Sequence, residues 1–357
     1  MNVSTELSNR PSAVLDLRPG ELVRVRSAAE IFATLDAEGT LDGLPFMPEM
    51  IKYCGRTLSV GQRADATCAG DGVLRRMRDA VHLTNIRCDG SAHGGCQAAC
   101  LMYWKEAWLE RVDNGARRNG AAQRPQALDD EEESFVADTL VPATRAAGDD
   151  ASEPVYSCQA TEIPKASQHV RFREVDQYAR AIRNWRPAKI VRGLVIQLFN
   201  FVQSVTYRRF PERLRIARGR EYPFVVGSLN KGETPKSGQL DLRAGDLVRI
   251  KSKAEIVATL DKTNHHRGLS FDGEMANYCG RTARVRARVN HIIDEATGKM
   301  IHIKSDCIIL DGVVCTGDYH RFCTRAIYSY WREIWLEKIE SPDDMPTAPC
   351  VNRWSRA

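Results

Sequence analysis

The sequence predicts an α+β protein built from two tandem copies of one small module, and three observations lead there. The first is self-similarity, which is the signature of a duplicated unit. Residues 15–36, LDLRPGELVRVRSAAEIFATLD, match residues 240–261, LDLRAGDLVRIKSKAEIVATLD, at an offset of 225. The match runs on through GLPFMPEMIKYCGRT, ending at Thr57, and GLSFDGEMANYCGRT, ending at Thr282. It resumes at an offset of 227, where YWKEAWLERV (103–112) answers YWREIWLEKI (330–339). The second observation is that strand and helix patterns follow one another within each copy, the order that suits an α+β layer. The third is composition: 357 residues with 43% hydrophobic and 27% charged side chains are ordinary globular values. They exclude a wholly disordered, collagen-like or polytopic membrane chain.

Each element of the copy has a local reason. Leu-Val-Arg-Val-Arg (22–26) alternates apolar and charged residues behind a Pro-Gly turn, which predicts a half-buried strand. Ser27-Ala28-Ala29-Glu30 is a capping box, repeated as Ser252-Lys253-Ala254-Glu255, and opens a short helix reaching Leu35. A second short helix starts at Pro48 and runs to Tyr53 before a Cys-Gly turn. Residues 58–63 and 81–87 read as strands. Leu101, Trp104, Trp108 and Val112 recur at helical spacing, so residues 97–112 are expected to form a C-terminal helix. The strands are compatible with a small SH3-like barrel followed by that helix.

Between the copies the composition shifts. Residues 113–153 hold ten acids against four arginines, while residues 165–220 hold fourteen basic residues against three acids. The expected organisation is repeat 1 at 15–112, an acidic linker at 113–164, a basic helical insert at 165–239 and repeat 2 at 240–340. Within the insert, residues 189–207 read as a helix with a wide apolar face interrupted by Gln197, Asn200 and Gln203, too broken to span a bilayer. Docking on the repeats is the first expectation. A protein partner, an anionic membrane surface or nucleic acid are the other occupants its arginines allow. No signal sequence is visible, and the expected location is cytoplasmic, with peripheral membrane attachment through this helix as a variant.

Eleven cysteines without a secretory signal point to metal ligation or reactivity before disulfides. Cys88, His93 and Cys96 share the spacing Cys-x4-His-x2-Cys with Cys315, His320 and Cys323. Inside that stretch only one further residue is common to both copies, Gly90 and Gly317. Cys54 and Cys279 recur upstream. Three thiolates and one imidazole form a tetrahedral zinc set, so two zinc sites are expected: Cys54, Cys88, His93, Cys96 and Cys279, Cys315, His320, Cys323. Cys158, Cys350 and Cys100 are alternative ligands; Cys68 and Cys307 read as buried thiols. Glu49/Glu274 and Asp36/Asp261 also recur and read as helix-end charges, unless an open metal position is present, which Glu49 would then face. Arg56 and Arg281 read as surface arginines.

The run Cys88-Asp-Gly-Ser-Ala-His93 resembles the Cys-Asp-Gly-Ser-His stretch of mitoNEET-type iron–sulfur proteins, which implies [2Fe–2S] clusters as the alternative cofactor. The departures are an extra residue before His93, no closely spaced Cys-x-Cys upstream, and Thr316 in place of the aspartate in the second copy. Zinc is therefore the first expectation. The combination GLPFMPEM, YCGR, RCDGSAHGGC and WKEAWL resembles a group of uncharacterised bacterial proteins, which implies a bacterial origin and a shared duplication and carries no activity. No phosphate-binding loop, nucleophile elbow or His-Glu-x-x-His motif is present, so no catalytic residue is expected. The function this implies is a two-site metal-binding adaptor; an iron–sulfur redox protein is the alternative.

Overall fold

The computed structural model describes residues 15–69, 73–112, 127–145, 153–171, 174, 176–215, 222–236 and 240–340. In the first copy, strand β1 (Leu22–Val25) leads to helix α1 (Ala28–Phe32), where Ser27 and Glu30 complete the expected capping box. A 3-10 turn follows at Pro48–Tyr53, then β2 (Thr57–Arg63), β3 (Ala80–Arg87), β4 (Leu101–Lys105) and β5 (Leu109–Arg111). The strands hydrogen-bond in the order β4-β3-β2-β1-β5, an open sheet whose two ends do not pair among the described residues. The second copy contributes β6 (Leu247–Ile250), β7 (Thr282–Arg288), β8 (Ile308–Leu310) and β9 (Leu336–Lys338), ordered β8-β7-β6-β9.

Equivalent positions take equivalent partners. Val23 faces Leu58 and Arg111, while Val248 faces Ala283 and Lys338. Both long strands carry the same bulge, between Val60 and Gln62 in one copy and Val285 and Ala287 in the other. An extra residue at a bulge bends a strand and increases its twist. Each core centres on two tryptophans gripped by one phenylalanine: Phe46 lies edge-on to Trp104 and Trp108 at 6.4 and 5.2 Å. Phe271 meets Trp331 and Trp335 at 6.1 and 5.5 Å.

The expected helix at 97–112 is not formed. Leu101–Lys105 is a strand, Glu106–Trp108 a 3-10 turn and Leu109–Arg111 another strand. The four-residue spacing of the tryptophans has a different cause. Trp104 enters the core from β4, and the turn returns the chain so that Trp108 enters it again, its Nε1 donating to Thr34 Oγ1 at 3.1 Å. Leu-Met-Tyr-Trp is rich in strand-forming side chains, and β3 offers an edge to pair with, so tertiary pairing overrides the helical pattern. The second copy repeats the turn at Glu333–Trp335 and the Trp335 bond to Thr259.

One ion pair per copy, buried on both sides in the first and on the glutamate side in the second, closes the N-terminal segment onto that turn. Glu106 accepts from Asp16 N, Leu17 N and Arg63 Nη1, the last at 2.7 Å. Glu333 accepts from Leu240 N, Leu242 N and Arg288. His82 on β3 is wholly buried, with Nδ1 3.0 Å from Met102 O and Nε2 unpartnered. Burial drives its pKa down to about 4. The folded protein therefore holds it neutral while the unfolded chain protonates it below about 6.5, so stability is lost as pH falls through that window towards 4. The loss expected from this one ring is about 3 kcal/mol. Urea melts of wild type and His82→Phe at pH 7 and 4.5 check it: the variant should show a clearly smaller drop.

Part of the region expected as linker packs on the first copy. Helix α2 (Asp130–Phe135) stacks Phe135 on Phe32 at 4.7 Å, and Leu140, Cys158, Ile163 and Ala166 join the first core. The Gln159 amide is buried there, bonded to Tyr103 N, Tyr103 O and Pro45 O. In the basic insert, α3 (Asp176–Asn184) precedes α4 (Pro187–Arg209), which covers the expected 189–207 helix. Helix α4 rests on the second copy through Gly193, where an added Cβ would lie 2.5 Å from the Phe322 ring, and through Arg192, 2.9 Å from Asn277 Oδ1. Its other face leaves Val191, Val195 and Leu198 61–64% exposed. No described helix is long and apolar enough to cross a membrane.

The copies touch by exchanging equivalent positions. Thr324 N donates to Ala66 O at 2.7 Å, and Gln97 N, its counterpart, donates to His291 O at 3.1 Å. Reciprocity of this kind defines an isologous contact.

Candidate metal centre

In the first copy the 3-10 turn at Pro48–Tyr53 presents Glu49, the end of β3 presents Cys88, and the turn at Gly90 brings His93 back beside them. Cys88 Sγ lies 3.3 Å from Glu49 Oε1 and 3.4 Å from His93 Nε2, while His93 Nδ1 lies 3.5 Å from Glu49 Oε1. The three offer ligand atoms within 4.8 Å of one another. Lys52 on the 3-10 turn pairs with Asp89 and ties the loop down.

The donor chemistry fits a cation. Glu49 and His93 are buried, and Glu49 Oε2 and His93 Nδ1 have no hydrogen-bond partner. Burial, then the Glu49 charge, pushes the Cys88 thiol far above its usual range, and burial pushes His93 down. Without a cation the group is a neutral thiol and a neutral imidazole beside a buried Glu49 oxygen that has no hydrogen-bond partner. A divalent ion would give that oxygen a partner and draw off the thiol proton.

The second copy assembles the equivalent Glu274, Cys315 and His320, with thiol and carboxylate both nearest His320 Nδ1 rather than at opposite ring nitrogens. Cys315 Sγ is 3.4 Å from His320 Nδ1, and His320 Nδ1 is 3.7 Å from Glu274 Oε1. Two differences matter. The His320 side chain is 49% exposed, and Glu274 already accepts from Thr316 N, Thr316 Oγ1 and Tyr319 N at 3.0, 2.6 and 3.0 Å. Its carboxylate also staples the loop.

Of the eight expected ligands, the structure brings Cys88 with His93 and Cys315 with His320; the other four stand outside these groups. Cys54 lies in the first core, its thiol raised to about 12 by burial, and Cys279 packs against the second. Both follow a turn whose apolar side faces inward, so their recurrence reflects packing. Cys96 Sγ accepts from Ile293 N at 3.4 Å, and Cys323 Sγ faces Cys68 Sγ at 3.2 Å. The Cys323 contact, assisted by the Arg325 guanidinium, holds the Cys68 thiol below its usual range. Of the alternative ligands, Cys100 and Cys158 line a cavity of about 40 Å³ with Cys88, His93 and Cys96, and Cys350 lies outside the described residues.

The carboxylates are what the helix-end reading missed. Glu49 and Glu274 recur among apolar neighbours in both copies, and a charge kept in an apolar setting was the available signal. Asp36 and Asp261 do hold turns, accepting from Thr40 N and His265 N. Arg56 and Arg281 lie over Tyr53 and Tyr278. No protein-family model, curated protein or solved structure matches the chain.

Proposed function

We propose that this protein binds one zinc-class ion in each copy, through Glu49, Cys88, His93 and through Glu274, Cys315, His320, and that it acts as an adaptor rather than on a substrate. The observation that carries the reading is the recurrence of one carboxylate–thiol–imidazole group at equivalent positions of two diverged copies. Thiolate, imidazole and carboxylate suit zinc. A cluster needs more thiolates than the one each group offers, which puts the iron–sulfur alternative second. Three protein ligands leave a tetrahedral ion a fourth position, but the cavity beside the first group, about 40 Å³, is far below the roughly 300–1,000 Å³ of ligand pockets. Water fits there; the cavity next to the second group, lined by Lys189, Arg192, Thr316 and Asp318, is about 340 Å³. The bare apolar stripe of α4, flanked by arginines, is the surface offered to a protein partner.

Elemental analysis and a visible spectrum of anaerobically purified protein test the metal. Two colourless equivalents of zinc are expected, one lost in Cys88→Ser and both in Cys88→Ser/Cys315→Ser. A chelator should strip the second group first, because His320 is exposed and Glu274 is already engaged. Brown protein containing iron and sulfide, or zinc content unchanged in the double variant, would overturn the reading.

A further inference from the structure

We propose that Cys68 and Cys323 are a cross-link site, joined by hydrogen peroxide into a disulfide that ties the two copies together covalently. The two sulfurs approach to 3.2 Å although they are 255 residues apart in the chain. That distance discriminates between the roles a thiol pair can play. Two thiolates on one tetrahedral zinc, each at about 2.3 Å, stand about 3.8 Å apart, so this pair is too close to be two such ligands. A disulfide is about 2.05 Å, so closing it needs a movement of about 1 Å, within reach of side-chain rotation.

The backbone around the pair is already fixed. Thr324 N donates to Ala66 O at 2.7 Å and Arg325 Nη1 to Cys68 O at 3.0 Å, so the strand Thr67–Cys68 and the loop end at Cys323 are held in place before any chemistry. Access is asymmetric: Cys68 is half-buried and Cys323 buried. The isologous contact provides an internal comparison. The counterpart of Cys68 is Ile293, whose backbone meets Cys96, so the equivalent contact holds one sulfur and cannot be bridged.

The chemistry balances with hydrogen peroxide as the oxidant. The Cys68 thiolate attacks one peroxide oxygen; the O–O bond breaks, one water leaves after protonation, and Cys68 is a sulfenic acid. Cys323 sulfur then attacks Cys68 sulfur; the S–O bond breaks, the Cys323 proton leaves with the departing hydroxide as a second water, and the disulfide remains. Two thiols are oxidised by two electrons, and one peroxide is reduced to two waters.

The test uses the full chain, zinc-loaded and reduced, then treated with stoichiometric hydrogen peroxide, alkylated and digested without reductant. Mass spectrometry should find one peptide pair linking Cys68 to Cys323 with the loss of those two free thiols, and non-reducing gels should show faster migration. Cys68→Ser, at a half-buried position, should lose the link and leave Cys323 a free thiol that alkylates once the chain is denatured, whereas Cys307→Ser should keep the link. Cys68 carried on to sulfinic acid with Cys323 still free would overturn the proposal. So would a pair that resists peroxide until a chelator removes an ion, since the sulfurs would then be ligands.

Discussion

Alanine at Gly90 or Gly317 is expected to open the loop that carries the histidine of each group, with a loss of about 4 kcal/mol or more in stability. Both glycines lie at positive φ, +75° and +76°. That alone costs an alanine about 1–2 kcal/mol. The larger part is steric: a Cβ on Gly90 would sit 2.1 Å from Cys96 O, and one on Gly317 2.4 Å from Cys323 O. These are backbone atoms at the far end of the same loop, so relief requires the loop to separate from its own return. Gly55 and Gly280 are built-in controls, with φ of +73° and +76° and open space around the Cβ position. Gly55→Ala should therefore cost only the conformational part and leave binding of the proposed metal ion intact, while Gly90→Ala loses stability and metal binding together. Denaturant melts and metal analysis on the four variants check this; equal costs at Gly55 and Gly90 would remove the steric argument.

The second large effect is expected at Glu106. Its side chain is 2% exposed, paired with an Arg63 side chain 5% exposed, and it also caps two backbone donors at the N-terminal segment. Glu106→Ala strands those donors and leaves Arg63 with Asp65 at 3.2 Å and Asp16 at 3.6 Å as its carboxylates. Breaking a buried pair from one side typically costs about 3–5 kcal/mol; Arg63 keeps two carboxylates, so the loss expected is at the lower end, about 3 kcal/mol, and falls mainly on the stranded Asp16 and Leu17 backbone donors. The double substitution Arg63→Met/Glu106→Leu should recover part of that loss. Urea denaturation of both singles and the double closes the cycle. A double variant as unstable as the sum of the singles would show that the two side chains do not act as a pair.

What the sequence allowed to be read follows from which signals are local. The capping box at Ser27, the alternation of β1 and the helix of the basic insert are set by neighbours a few residues away, and each stands where expected. The tryptophan segment misled because a strand followed by a tight turn and a helix can both place apolar side chains four apart. At the site, the loop spacing identified Cys88, His93, Cys315 and His320, since one turn at a glycine brings those pairs together. The third member comes from a different element, Pro48–Tyr53, and no spacing rule reports that a glutamate there faces inward. Gln159 was beyond reach for the same reason: its place in the first core depends on a return of the chain from beyond the duplicated unit.

The reciprocal contact between Ala66 and Thr324 and between His291 and Gln97 has a consequence for how the halves assemble. Two identical subunits meeting this way would form a dimer that falls apart on dilution. Covalent linkage makes the encounter intramolecular, with an effective concentration that for a flexible tether is on the order of millimolar. It also frees each surface from having to be its own complement, so a thiol can be gained on one side and an isoleucine kept on the other.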